Sequence, residues 1–136
     1  MRVILDTNVF ISGVFFSGPP SKILEAWKNR AIKLVISPSI FEEYRRVAGE
    51  LSKQFPSVEI SSILELVAIN ADMVPDTTLP TPVCTDSDDD KFLACAVNAK
   101  ARIVCSGDKA LLNTSGYRNI QVLTPTVFWK NHMKES

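Results

Sequence analysis

Arg2-Val3-Ile4-Leu5-Asp6-Thr7-Asn8 opens the chain with a short apolar run, partly β-branched, that stops on an acid. A run this short, bounded by polar residues, is the pattern of a buried strand. The pattern recurs. Ile32-Lys33-Leu34-Val35-Ile36 runs into Ser37-Pro38, Arg102-Ile103-Val104-Cys105 into Ser106-Gly107-Asp108, and Ile120-Gln121-Val122-Leu123 into Thr124-Pro125. Ser37-Pro38 and Thr124-Pro125 each offer a capping hydroxyl followed by proline, the usual start of a helix. Asp72-Met73-Val74 reads as a short edge strand.

Helical spacing fills the intervals. Ile23, Leu24 and Trp27 predict a helix from Pro20 to Asn29; Ile40, Tyr44, Val47 and Leu51 predict one from Pro38 to Glu50. Ile60, Ile63, Leu64 and Val67 share one face of a further helix, and Asp86-Ser87-Asp88 starts the next. Val127, Phe128 and Trp129 anchor a terminal helix, and Val9 to Phe16 forms a short helix or turn. Pro75 to Cys84, with three prolines, is an extended loop. Strands alternate with helices and no hairpin turn joins them. The expected fold is α/β: three layers, Rossmann-like, with a central parallel sheet flanked by helices.

The 136 residues suit a single domain spanning 1–136, and 46% hydrophobic with 22% charged residues is the balance of a soluble globular protein. No apolar run is long enough to cross a bilayer. The opening Met1–Asp6 is too short an apolar stretch for a secretory signal, so a cytoplasmic protein is expected. Cys84, Cys95 and Cys105 form no C-x-x-C pair, which argues against both a disulfide framework and a zinc site. The single histidine, His132, has no activated-nucleophile motif beside it, so Ser-His-Asp and Cys-His mechanisms are disfavoured.

Acids, in contrast, stand at consistent places. Ligands of open α/β sheets bind beyond the carboxyl ends of the strands. Asp6 directly follows the first strand, Asp108 follows the Arg102–Cys105 strand, Asp86–Asp90 open a helix, and Glu43 lies early in its own. At about 100° per residue, Glu43 borders the face of Ile40 and Val47, whereas Glu42 points to solvent. Asp90 falls on the face of Leu93, Ala94 and Val97; Asp89 borders Phe92 and Leu93, so helical phase does not separate the two. Each acid alone has a structural reading, as a turn residue or helix cap, and for Asp88 the cap reading is preferred. Gathered together, they form a carboxylate cluster with no cation of its own, which needs hard divalent ions for neutrality.

The net charge is zero. Setting aside Asp6, Glu43, Asp86, Asp88, Asp89, Asp90 and Asp108 leaves eight acids against fifteen Lys and Arg. A basic body around an acidic centre suits a polyanionic substrate. Lys22, Arg45, Arg46 and Lys109 are candidate phosphate contacts, with solvated surface as the alternative for each. Phe15, Phe16, Trp27, Phe128 and Trp129 offer apolar surface for a homo-oligomer, core packing being the default for each.

Ile4-Leu5-Asp6-Thr7-Asn8-Val9, Ser37 to Glu43, Asp90-Lys91-Phe92-Leu93-Ala94 and Val104-Cys105-Ser106-Gly107-Asp108 resemble, in order and spacing, the acidic motifs of PIN domains. The likeness is greatest to the PIN-fold toxins of toxin–antitoxin systems, related to VapC. It implies a PIN fold and a metal-dependent endoribonuclease. Asp6, Glu43, Asp90 and Asp108 match the family's catalytic quartet, with Asp6, Asp90 and Asp108 binding Mg2+ or Mn2+ and Glu43 helping. Asn8 and Ser106 match supporting polar positions, and Asp86 lies in the third motif. RNA would be the substrate and a small antitoxin the partner. Two rivals differ in class. A phosphatase or phosphotransferase would use Asp6 as nucleophile, which Asn8, standing where such sites carry a second acid, disfavours. A non-catalytic PIN-like module would bind RNA or protein without cutting it.

Overall fold

The computed structural model describes residues 1–133. Among them are five strands and seven α-helices. In chain order these are β1 (Arg2–Leu5), α1 (Thr7–Phe15), α2 (Pro19–Lys28), β2 (Lys33–Ile36), α3 (Pro38–Ser52), α4 (Ile60–Asn70) and β3 (Asp72–Met73). There follow α5 (Asp90–Ala99), β4 (Ile103–Cys105), α6 (Lys109–Leu112), β5 (Gln121–Leu123) and α7 (Pro125–Phe128).

Every strand pairing is parallel and the sheet order is β3-β2-β1-β4-β5. The chain moves outward from β1 to β3, then returns to lay β4 on the other side of β1. Right-handed crossovers therefore send the first helices to one face and α5 to the other, giving the expected three layers. Helix α1 packs on both α2 and α3, α3 packs on α4, and α5 packs on β1, β2 and β4. The strand order reverses between β1 and β4, which makes their carboxyl ends the crevice of the sheet.

Local chemistry starts the helices as the sequence suggests. Ser37 caps α3 by accepting the Ile40 N–H at 3.5 Å, and Thr124 caps α7 through Val127 N–H at 3.2 Å. Tyr44 of α3 is fully buried, stacks on Phe10 of α1 with centroids 4.1 Å apart, and donates its hydroxyl to the Leu5 carbonyl at the end of β1. That contact fixes α3, and with it Glu43, beside the end of the central strand. Gly13 is required where α1 crosses α2: a Cβ there would stand 2.7 Å from Leu24 Cδ1 and 2.8 Å from the Pro20 carbonyl.

Three sequence expectations change. The segment after Asp6 is a full helix that begins at Thr7, because Asp6 itself is its cap. Asp86 does not open an α-helix. It caps a 3-10 turn over Ser87–Asp89, and α5 starts only at Asp90. Of the aromatic residues considered as an oligomer surface, Trp27 and Phe128 are core, and Phe16 is half exposed with its ring edge-on to Phe55 at 5.5 Å. The three cysteines are all buried. No helix among the described residues is long and apolar enough to cross a membrane.

Candidate active site

Asp6 leaves β1 at the crevice. Its N–H still bonds to the Cys105 carbonyl of β4 at 2.9 Å, so the ladder extends one residue past the strand. The side chain is almost fully buried, with one oxygen accepting the Val9 N–H at 2.8 Å as the cap of α1. The other accepts the Ser106 hydroxyl. Ser106 is itself fully buried, and its Oγ accepts the Asp108 N–H at 2.9 Å. One serine hydroxyl thus ties the acid after β1 to the acid after β4. Burial pushes the Asp6 carboxyl above its ordinary range, the Ser106 and Val9 bonds oppose that rise, and the nearby Asp108 and Glu43 charges add to it.

Asp108 caps the short α6 through Ala110 N–H at 3.3 Å. Asp89 comes to it from the 3-10 turn. Its pKa is pushed up to about 7 by burial, then by the neighbouring Asp108 carboxyl and the charges of Asp86 and Asp88. Adjacent carboxylates disfavour each other's charge, which is the direction of the shift on Asp89. Glu43 accepts the Thr7 hydroxyl and the Lys91 ammonium, and Lys91 also reaches Asp88 at 3.1 Å. Burial works against the Lys91 charge, but its bonds to Glu43 and Asp88 prevail and raise its pKa. The cluster therefore does carry an intrinsic cation, contrary to expectation. No local sequence pattern points to Lys91, because its partner lies 48 residues away in sequence.

These groups line a cleft of about 510 Å3 that brings together Asp6, Glu43, Asp89 and Asp108. Asn8 lies exposed on its wall. Asp90 does not face it. Its oxygens accept the backbone N–H groups of Cys84 and Val83 at 2.7 and 3.1 Å, clamping the Pro-rich loop to the start of α5. Burial alone would raise the Asp90 pKa; those bonds outweigh it and hold the carboxyl below its usual range. The 3-10 turn places Asp89, rather than Asp90, in the cleft lining with Asp108. Asp86 is exposed and spends its carboxylate on the Asp88 N–H at 3.0 Å, outside the cleft lining.

Of the basic candidates, Arg46 alone lines the cleft. Arg45 is paired with Glu42 on the surface, Lys22 stands 5.9 Å over the Trp129 ring, and Lys109 is exposed beyond the cleft wall. Thr7, which also holds Glu43, carries one sequence signal, its position between Asp6 and Asn8.

The arrangement defines a class: an α/β protein with an all-oxygen acidic site at the switch point of a parallel sheet. The chain belongs to the PIN-domain family, whose profile matches residues 2–110. It is also similar to the uncharacterized protein MJ1680 of Methanocaldococcus jannaschii, with 32% identity over 118 residues, covering 83% of this chain and 74% of that protein. Family membership gives the chain a nuclease-type function directed at nucleic acid, in a family that typically uses divalent metals. The donors fit such ions. They are hard carboxylate oxygens, and the crowding of Asp89 against Asp108 in the cleft marks a place where positive charge is needed. Among the described residues no three His, Cys, Asp or Glu side chains already converge as a ligand set. Mg2+, which keeps several waters and takes one or two carboxylates, is compatible with that spacing.

Proposed function

We propose that the chain, acting as one PIN unit over 1–136, is a metal-dependent endoribonuclease and the toxin component of a toxin–antitoxin pair. Asp6, Asp89 and Asp108 are assigned to hold Mg2+ or Mn2+, with Glu43 assisting. Bound there, the ions would supply Lewis acidity toward a phosphodiester and make water a stronger nucleophile near neutral pH. The chain's own residues orient the donors. Ser106 and the Val9 N–H hold Asp6 in one rotamer. Thr7 and Lys91 hold Glu43 at the cleft wall. Arg46 is assigned to the substrate phosphate, and Asn8 to the rim. An antitoxin would act by covering this cleft, and self-association would use exposed apolar residues such as Phe16.

The observation that carries this reading is the Ser106 bridge, which joins the acids after β1 and β4 in one crevice beside the Asp89–Asp108 pair. The test is cleavage of RNA with and without Mn2+ by the parent and by Asp6→Asn and Asp108→Asn. Loss of metal-dependent cleavage with an unchanged circular dichroism spectrum is expected. A double variant that cuts as fast as the parent removes the proposal.

A further inference from the structure

The parallel sheet has a second end. All five strands begin at the edge opposite the acidic cleft. The residues there are Met1–Arg2, Lys28–Lys33, Asn70–Asp72, Lys100–Arg102 and Arg118–Gln121, which carry seven basic side chains and one acidic. The acid, Asp72, is already matched by Arg2 at 3.4 Å. Lys28, Arg30, Lys33, Lys100, Arg102 and Arg118 are all exposed, and among the described residues none of the six is in an ion pair. They flank two concavities, of about 360 Å3 beside β2 and about 380 Å3 beside β4 and β5.

Two features argue against a merely solvated surface. The molecule is neutral overall, so this positive end is a segregation of charge rather than a general excess. The turns also place Arg30, Lys100 and Arg118 at φ of 65°, 57° and 47°, where glycine or asparagine is the cheaper residue. Long cationic side chains standing at strained positions on one edge point to a use for their charge.

We infer that this edge is a second nucleic-acid contact, which binds the phosphate backbone of an RNA strand engaged in the cleft. Five strands spaced by about 4.8 Å make the edge about 19 Å wide, enough for several consecutive phosphates. The chemistry is charge without base readout: flexible cations at the tips of turns neutralise phosphates and displace counterions. The choice of RNA rather than another polyanion rests on the nuclease reading of the cleft; the binding itself does not.

The test combines Arg30→Gly, Lys100→Gly and Arg102→Gln, with glycine placed where φ is positive so that the turns are kept. Binding of a labelled single-stranded 20-mer RNA is titrated without divalent ions over a range of KCl. The triple variant is expected to lose about tenfold in affinity at moderate salt. Its log K against log salt slope should be shallower by about 2, from about 0.7 per phosphate contact removed. Hydrolysis of bis(p-nitrophenyl) phosphate, too small to reach this edge, should be unchanged. Parental RNA affinity and slope in the variant would overturn the inference and leave the edge to an acidic protein. Equal loss of small-substrate hydrolysis would overturn it too, as a general defect. Cleavage of the same RNA by the parent once Mn2+ is added judges the nuclease reading separately.

Discussion

Lys91 places its ammonium on the Glu43 carboxylate, joining the start of α5 to α3 at the wall of the acidic cleft. Both side chains are less than a fifth exposed, so the pair is shielded from solvent more than a surface ion pair is. Lys91→Met should lower the stability of the metal-free protein by about 1–2 kcal/mol, because Glu43 is left half-buried without its cation. It should also tighten Mn2+ binding several-fold, since one positive charge leaves the cluster. Thermal melting in EDTA and calorimetric Mn2+ titration check the two effects, and unchanged Mn2+ affinity would count against Lys91 as a stand-in cation.

Ser106→Ala removes the hydroxyl that serves both Asp6 and the Asp108 N–H. A loss of about 1–3 kcal/mol is expected, the range for leaving buried polar groups unmatched. The Asp6 pKa should rise further, because the Ser106 bond now lowers it. RNA cleavage should fall more than the melting temperature alone explains. Parental activity in a folded Ser106→Ala chain would show that the bridge is only structural.

Asp89 and Asp90 should separate cleanly. Asp89→Asn is expected to abolish metal-dependent cleavage while leaving the chain folded and, without metal at neutral pH, no less stable than the parent. Asp90→Ala should instead destabilise the chain by about 1–3 kcal/mol, by freeing the Cys84 and Val83 N–H groups. Melting curves and cleavage rates on the same preparations decide it. A stable, inactive Asp90→Asn alongside a fully active Asp89→Asn would return the role to Asp90.

The raised Asp89 pKa sets a pH dependence in EDTA. The folded value is about 7 against an ordinary 3.8, so the native state holds a proton that the unfolded chain has lost. The contribution to stability is complete below the ordinary value and is lost as pH climbs toward 7 and beyond. Asp6, also raised, acts in the same direction. The melting temperature of the metal-free parent should fall between pH 5 and about 8 relative to Asp89→Asn. Parallel profiles for the two proteins would contradict the Asp89–Asp108 pairing.

The strands, the parallel topology and the caps at Ser37 and Thr124 were legible because each rests on local signals: apolar runs, capping hydroxyls and prolines at first helical positions. The placement of Asp6 and Asp108 at the crevice was legible for the same reason, as each follows a buried strand. The Asp89–Asp90 ambiguity had a physical source. Phase at about 100° per residue holds only inside an α-helix, and Asp89 belongs to a 3-10 turn that winds more tightly. Lys91 on Glu43 was beyond sequence reading, because the two lie 48 residues apart and only the folded sheet brings α3 and α5 together. The basic edge was implicit in the fifteen Lys and Arg, but only the strand order shows that the strand starts lie side by side.

The buried thiols have a practical use. Burial pushes Cys84 and Cys95 up to about 12 and Cys105 higher still, so none offers a thiolate near neutral pH while the chain is folded. Each sits in a different part of the molecule: the loop clamped by Asp90, the α5 helix, and the strand that meets Asp6. Site-resolved alkylation then becomes a stopwatch for local opening, with Cys105 timing the separation of β1 from β4 beneath the cleft.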